Sequence, residues 1–178
     1  MDYTPAILSA FRKRNQRRLR KINDHVIQDA ALEFTQINFQ LAVVSYVLSK
    51  IVSKPRFLKK DFGPCLDGME KALENLIRCA RQGNERMVMS CFKDIEKAIA
   101  CFDTKDPRFS IDLITKGRLK MAATFYAQGM SLGTASEMTG IQKQEILDYA
   151  GQTMMFDRLK EEKTMKERMK IARQLISG

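Results

Sequence analysis

Apolar residues recur at intervals of three and four along most of the chain, which is the spacing of one face of an α-helix. The pattern predicts a first helix that begins at Thr4 and Pro5, because proline is favoured in the first turn after a capping residue. Asn23 or Asp24 is expected to cap a second helix. Its apolar stripe continues to about Ser53, so the sequence predicts one long and largely buried helix there.

Two further helices are predicted after a loop that contains Pro55 and Pro64. A tight connection at Gly83 and Asn84 predicts that these two helices pack as an antiparallel hairpin. Their apolar faces comprise Leu66, Met69, Leu73, Leu76, Ile77 and Ala80 in one helix and Met87, Val88, Cys91, Ile95, Ala98, Ile99 and Phe102 in the other. Together with the long second helix, the hairpin predicts a four-helix bundle whose Met and Phe side chains fill the core.

The C-terminal part of the chain is also predicted to be helical. A helix that starts at Asp106 and Pro107 is expected to reach about Gln128 and to lead into two shorter helices. After Gly151, a highly charged segment carries a narrow apolar seam, which suits packing against a partner helix, a dimer mate or the protein's own core. The predicted fold is all-α and has four parts: a basic N-terminal segment (1–23), a helical bundle (24–103), a connecting helix with a helix-turn-helix (107–153) and a charged amphipathic helix (154–178).

The stretch from Gly129 to Gly151 has the spacing of a helix-turn-helix. Ser131 can cap the first helix through its hydroxyl, and Gly140 can take the positive φ that a tight turn between helices requires. Gly151 is expected to end the second helix. The side of the second helix that should pack against the first carries Ile141, Ile146 and Tyr149.

This stretch also carries a recognisable residue pattern. A helix ending in Y-x-x-G is followed by S-L-x-x-A-x-E-x-x-G-[IV]-x-x-x-E, and the matching residues are Tyr126, Gly129, Ser131, Leu132, Ala135, Glu137, Gly140, Ile141 and Glu145. Over residues 116–153 the chain resembles small prokaryotic antitoxin-type helix-turn-helix proteins, with departures from their pattern at Thr139 and Gln142. The resemblance implies a DNA-binding, regulatory and non-enzymatic function.

The net charge of the chain is +10, which favours a polyanionic partner such as nucleic acid. Seven of the ten residues in 12–21 are Lys or Arg. Such a segment can bind phosphates without reading the base sequence. The candidate phosphate-contacting residues are Arg12, Lys13, Arg14, Arg17, Arg18 and Arg20. The alternative is a solvated, frayed terminus, because like charges four residues apart repel each other along a helix.

A helix-turn-helix that reads DNA presents polar side chains of its second helix to the major groove. The candidate DNA-binding residues are Ser131, Thr134, Gln142, Lys143, Gln144 and Leu147. Glutamine can pair with adenine and lysine with guanine, whereas Ser131 and Thr134 can bind phosphate at the start of the first helix. Glu145 and Asp148 oppose this function because they bring negative charge towards the phosphates.

Three functions remain open at this point. The leading prediction is a regulatory or antitoxin-like protein that binds double-stranded DNA and dimerises with a second copy through the bundle or the terminal helix. The alternative is an adaptor whose helix-turn-helix is architectural or docks another protein, with residues 154–178 as a further protein-binding segment. The third is a HEPN-type ribonuclease, because Arg20 and His25 fit its R-x4-H spacing.

The sequence predicts neither an enzyme nor a cofactor or metal site. It contains no P-loop, G-x-G-x-x-G or G-x-S-x-G motif, and its single histidine and dispersed cysteines lack the spacing of zinc ligands. The cysteines (Cys65, Cys79, Cys91 and Cys101) are expected to be unpaired, which favours a cytoplasmic setting. The most apolar run, Ile37 to Val52, is interrupted by polar residues and is shorter than the ~20 residues that cross a bilayer, so a buried helix is predicted instead.

Overall fold

The computed structural model describes residues 3–106 and 112–155, and the regular elements in these ranges are all helical. The described residues form eight α-helices: α1 (Thr4–Arg12), α2 (Gln16–Leu32), α3 (Gln36–Val52), α4 (Gly63–Arg81), α5 (Glu85–Lys105), α6 (Leu113–Ala127), α7 (Leu132–Thr139) and α8 (Lys143–Gln152). Two short 3₁₀ helices, Pro55–Leu58 and Lys60–Phe62, lie between α3 and α4. The predicted all-α class is confirmed.

The chain up to Val52 forms three helices, whereas the sequence predicted two. α1 ends at Arg12, after which Arg14 takes a positive φ of 50° and Asn15 caps α2 by accepting a hydrogen bond from Arg18 N at 2.9 Å. The expected long second helix is also interrupted, because Thr35 is extended and caps α3 through a hydrogen bond from Asn38 N. The prediction of a single helix from Asn23 or Asp24 to about Ser53 is therefore wrong, because the Thr35 side chain caps a new helix inside that range.

Asn23 lies in the middle of α2 and does not cap a helix. Its buried side-chain amide donates to Ala42 O at 2.7 Å and to Ser45 Oγ at 3.0 Å, which ties α2 to α3. Core residues lie on both sides of it in the sequence, for example Ile22 and Val26. The expected boundary between residues 23 and 24 therefore falls inside a helix that belongs to the core.

The predicted antiparallel pairing of the next two helices is observed. Gly83 takes a φ of 69° in the turn, and Asn84 caps α5 by accepting from Met87 N at 3.2 Å. Two disulfides, Cys65–Cys101 and Cys79–Cys91, join α4 to α5, with Cα–Cα distances of 5.7 Å and 6.9 Å. The prediction of unpaired cysteines is wrong, because the antiparallel hairpin places the two cysteines of each pair opposite each other on α4 and α5. The cytoplasmic setting stays a prediction, and unpaired cysteines no longer support it.

Most buried apolar side chains form one core between α1, α2, α3, α4, α5 and α6. Its largest members with almost no exposure include Phe11, Phe57, Phe92, Phe102 and Phe125. A second, smaller cluster lies under α7 and α8. α6 contributes to both, since Met121 and Phe125 face the main core while Ala122 and Ala123 belong to the smaller cluster.

The helix expected from Pro107 begins at Leu113. Asp112 caps it by accepting from Thr115 N at 2.7 Å, while residues 107–111 lie outside the described residues. Asp106, the expected cap, is buried after the end of α5 and forms an ion pair with Arg56 Nε at 2.6 Å. The prediction of one continuous helix from Pro107 is wrong, because Asp112 is extended and starts α6.

Replacing Asp112 by alanine is expected to destabilise the protein by about 1 kcal/mol at pH 7. Partial burial raises the pKa of Asp112, but hydrogen bonds from Thr115 and from the Ile114 backbone outweigh it, so the net pKa is lowered. A group whose pKa is lowered by folding stabilises above the pKa of the unfolded chain, and this contribution is lost as the pH falls through the folded pKa. The loss in Asp112→Ala should therefore shrink below about pH 4.

Urea unfolding at pH 7 and pH 3 measures this difference. Asp67→Ala is the matched control, because Asp67 is exposed on α4 and caps no helix. Asp67→Ala should change the free energy of unfolding little at either pH. Equal losses for Asp112→Ala at both pH values would contradict the charged-cap interpretation.

Among the described residues, no helix combines the length and apolar character needed to cross a bilayer. The charged helix predicted over 154–178 lies outside the described residues, apart from Met154 and Met155. Met155 is buried in the smaller cluster next to α6.

Candidate nucleic-acid interface

α7 and α8 lie where the sequence predicted two short helices and a turn. Ser131 caps α7, because its Oγ accepts from Thr134 N at 3.0 Å and lies 2.7 Å from Thr134 Oγ1. Gly140 ends α7 with a φ of 71°, a left-handed conformation that glycine adopts without steric cost. Both local predictions for this turn agree with the structure.

Side-chain hydrogen bonds fix the turn between α7 and α8. Ser136 Oγ donates to Ile141 O at 2.7 Å, which holds the chain as it leaves the turn. Gln142 is the first residue before α8, and its backbone N–H donates to Glu145 Oε2 at 3.3 Å. Glu145 and Gln142 thereby form a capping box at the start of α8.

Gly151 does not end the second helix as predicted. α8 continues to Gln152 and Thr153 follows as its C-terminal cap residue. The chain then takes a positive φ at Met154, 46°, which a non-glycine residue adopts only rarely. A tertiary contact fixes this end of the helix, because the next residue, Met155, is buried against α6.

Small side chains form the contact between α6, α7 and α8. Ala135 of α7 and Ile146 and Ala150 of α8 are buried against Ala122 and Ala123 of α6. Ile141 and Tyr149 are partly buried at the edge of this cluster, on the side that the sequence predicted. Alanine at these positions lets helices approach closely, and the packing fixes the orientation of α8 relative to α6.

Each predicted DNA-binding side chain is exposed: Ser131, Thr134, Gln142, Lys143, Gln144 and Leu147. Leu147 is 38% exposed, which is high for a leucine in the middle of a helix. Gln144 Nε2 donates to Asp148 Oδ1 at 2.8 Å. Lys143 is the only cation in the sequence from residue 131 to residue 153, and the acidic Glu137 and Glu145 are exposed beside it.

The basic stretch is part of the fold rather than a frayed terminus. Phe11, directly before it, and Leu19, within it, are fully buried. Arg12 forms ion pairs with Glu70 and Glu74 of α4. Arg14 pairs with Glu70 at 3.3 Å, and its guanidinium lies over the Phe11 ring. These two predicted phosphate-contacting arginines hold α4 in place, whereas the exposed cations left over are Lys13, Arg17, Arg18 and Arg20.

Tyr46 of α3 connects the basic start of α2 to α8. Burial raises the pKa of Tyr46, and the charge of Tyr149 and a hydrogen bond with that residue act in the same direction. The positive charge of Arg20 opposes this shift. Arg20 of α2 and Tyr149 of α8 therefore both act on Tyr46. A separate hydrogen bond joins α3 to α7, in which Gln36 Nε2 donates to Met138 O at 2.9 Å.

Arg118 of α6 is not free for a phosphate contact, because it forms an ion pair with Glu96 of α5. The two residues of the ribonuclease alternative are also placed unfavourably. Arg20 and His25 are both exposed on α2, but five residues along an α-helix correspond to a rotation of about 140°. These two side chains therefore point to different sides of α2, which does not favour a joint site on one phosphate.

A cluster of lysines near Arg20 was not predicted from the sequence. Lys50 in the last turn of α3, Lys54 just after α3 and Lys116 at the start of α6 line one small cavity. The i,i+4 spacing of Lys50 and Lys54 was visible in the sequence, but nothing there indicated that α6 brings a third lysine to them.

Across the described ranges, His, Cys, Asp and Glu side chains do not come together in a group of three that could hold a metal ion. The chain matches no protein-family model, no curated protein and no solved structure.

Proposed function

We propose that the protein binds double-stranded DNA and inserts the exposed edge of α8 into the major groove. The observation that carries this proposal is the fixed presentation of Gln142, Lys143 and Gln144 at the start of α8. A capped α7, a left-handed turn at Gly140 and a small-residue core hold them in one orientation. Recognition helices of helix-turn-helix proteins contact base edges with residues at this end. The regulatory or antitoxin-like role remains an implication of the sequence resemblance.

The exposed cations at the start of α2 supply the phosphate contacts in this proposal. Arg17, Arg18 and Arg20 are exposed, and no carboxylate within residues 3–106 and 112–155 forms an ion pair with them. Arg20 lies beside Tyr46, which contacts Tyr149 on α8, so a DNA backbone that follows α8 passes close to α2. Such contacts add affinity and salt dependence without base specificity.

A homodimer completes the proposal. One α8 reads only a few base pairs, and two copies related by a two-fold axis would read two half-sites. This pairing raises both affinity and specificity because each copy adds its own contacts.

Fluorescence anisotropy with a labelled random-sequence duplex and a salt titration tests this proposal. Arg17→Ala combined with Arg18→Ala should weaken binding and lower the slope of log K against log salt by about 2. The matched control is Arg81→Ala combined with Arg86→Ala, which removes the same charge from exposed positions near the α4–α5 turn. DNA binding by the control variant should keep the wild-type slope of log K against log salt.

A second comparison isolates α8. Lys143→Ala should weaken binding, whereas Lys93→Ala, an exposed lysine on α5, should not. Equal losses in Lys143→Ala and Lys93→Ala would mean that only net charge matters. An absence of binding at low salt would overturn the DNA-binding proposal.

One observation favours a protein partner as the second candidate. The segment from residue 131 to 153 carries Lys143 as its only cation against Glu137, Glu145 and Asp148, and these acidic residues are exposed. A surface of this composition suits a basic protein segment better than phosphate. If the duplex does not bind at low salt, α7 and α8 are assigned to protein docking.

A further inference from the structure

A small cavity of about 160 Å³ lies between the C-terminal half of α3 and the start of α6. Three lysines line it: Lys50 from α3, Lys54 just after the end of α3 and Lys116 from α6. The remaining wall consists of Tyr46, Val47 and Leu113. One recess thus combines apolar walls with three ammonium groups.

Lys50 and Lys116 of this recess carry positive charge without a paired carboxylate among the described residues. Within residues 3–106 and 112–155, no carboxylate forms an ion pair with Lys50, Lys116 or Arg20. Burial lowers the pKa of Lys50, and the charges of Arg20 and Lys116 lower it further. The charged form of Lys50 is therefore less favourable than it would be without these neighbours.

The carboxylates of Asp103 and Asp106 act on Lys54 but also have other partners. Burial lowers the pKa of Lys54, and Arg56, Lys116 and Lys50 add to this effect, whereas Asp106 opposes it. Asp106, however, is paired with Arg56. The carboxylate of Asp103 accepts from Leu113 N at 3.2 Å, and that of Asp112 caps α6.

We propose that this recess, formed by Lys50, Lys54 and Lys116, binds a phosphate-class dianion, either inorganic phosphate or the phosphomonoester end of a small molecule. Lysine ammonium groups bind phosphate as point charges, and a dianion would relieve the mutual repulsion of the three. A water molecule occupies about 30 Å³ in the liquid, so a cavity of about 160 Å³ accommodates a tetrahedral oxyanion with a small substituent.

The recess is separate from the surface proposed to contact DNA bases. Tyr46 lines it and contacts Tyr149, which lies on the partly buried side of α8. The side chains proposed to read DNA (Gln142, Lys143 and Gln144) are exposed at the beginning of that helix. A phosphate in a DNA backbone has the same chemistry as a free phosphate, but a recess with walls of Val47 and Leu113 favours a small ligand.

Thermal unfolding of the full chain in inorganic phosphate, compared with chloride at equal ionic strength, tests the proposal. Phosphate should raise the melting temperature in a saturable manner, because a ligand that binds only the folded state stabilises it. Lys50→Gln combined with Lys116→Gln should weaken phosphate binding at least tenfold and abolish most of that increase. In chloride this variant should melt no lower than the wild type, because it removes repulsion between like charges.

The matched control is Lys71→Gln combined with Lys93→Gln, which removes the same charge from exposed positions on α4 and α5. It should keep the full effect of phosphate. An equal effect of chloride and phosphate on the wild type, or the same loss in the control, would overturn the proposal.

Binding of the labelled duplex to the same variants identifies the source of the phosphate. The small-ligand proposal expects Lys50→Gln combined with Lys116→Gln to change the DNA affinity no more than Lys71→Gln combined with Lys93→Gln does. A loss of DNA affinity confined to the recess variant, without a specific effect of inorganic phosphate, would assign the recess to the DNA backbone and overturn the proposal. Failure of DNA binding in the wild type would leave the phosphate result unaffected.

Discussion

Replacing Asn23 by aspartate is expected to destabilise the protein by about 3 kcal/mol at neutral pH, because a carboxylate would be buried opposite a carbonyl oxygen. The amide of Asn23 donates to Ala42 O and Ser45 Oγ in a position that is 7% exposed. Aspartate has the same shape but lacks both N–H donors. It would repel Ala42 O, and the introduced charge has no cation among these contacts.

Asn84→Asp is the matched control for this substitution. Asn84 is exposed and caps α5, and aspartate caps a helix about as well as asparagine. The same chemical change should therefore leave the free energy of unfolding nearly unchanged at Asn84. Urea unfolding of both variants at pH 7 measures the difference.

The pH dependence of Asn23→Asp provides a further check. Burial raises the pKa of a carboxyl group, and its protonated form can donate one hydrogen bond to Ala42 O. The destabilisation should therefore be smaller in acid and grow as the pH rises through the raised pKa. A loss below about 1 kcal/mol at pH 7 would mean that water reaches this position.

Replacing Gly117 by alanine is expected to destabilise the protein by about 1 to 2 kcal/mol, although alanine is the better helix former. A Cβ atom at Gly117 would lie 2.7 Å from Val47 Cγ2 and 3.3 Å from Val43 Cγ1. Both valines are buried in α3 and are stiff because they branch at Cβ. Relief of this overlap requires α6 to move away from α3.

Gly68→Ala is the control with the opposite expected sign. Gly68 lies within α4, and a Cβ atom there would have no neighbour within 4 Å. The helix propensity of alanine should therefore stabilise that variant by up to about 1 kcal/mol. Thermal or urea unfolding of the two variants should shift in opposite directions. Stabilisation by Gly117→Ala would show that α3 and α6 adjust at little cost.

Local sequence signals predicted several elements well. The apolar face of α4 and the run that became α3 followed helical spacing closely enough to identify their buried sides. Ser131 and Gly140 defined the start and end of α7 because both act through their own local backbone. Such features depend on neighbours within one turn, and these are visible in a sequence.

The wrong predictions involve residues whose role depends on distant partners. Asn15 and Thr35 begin new helices inside an apolar pattern that continues across them, so the periodicity joined helices that the structure separates. Asp106 had the position of a cap but pairs with Arg56. The cysteine pairs required knowledge of how α4 and α5 are aligned.

The same distinction between local and distant partners separates the predicted from the unpredicted features of the candidate site. Exposure of Gln142, Lys143 and Gln144 followed from the predicted position of α8. The engagement of Arg12 with Glu70 could not be predicted, because these residues are distant in the sequence and meet only after α1 packs on α4. The lysine recess likewise requires the contact between α3 and α6.

The double role of α6 also bears on how the protein opens locally. Met121 and Phe125 anchor one side of α6 in a large core, whereas Ala122 and Ala123 on its other side belong to the smaller cluster. Separation of α7 and α8 from α6 would expose less apolar surface than disruption of the main core, even though it uncovers Ile146, and it would leave α6 itself in place. Amide hydrogens of α8 should therefore exchange through a low-energy partial opening, and those at the centre of α6 only through global unfolding.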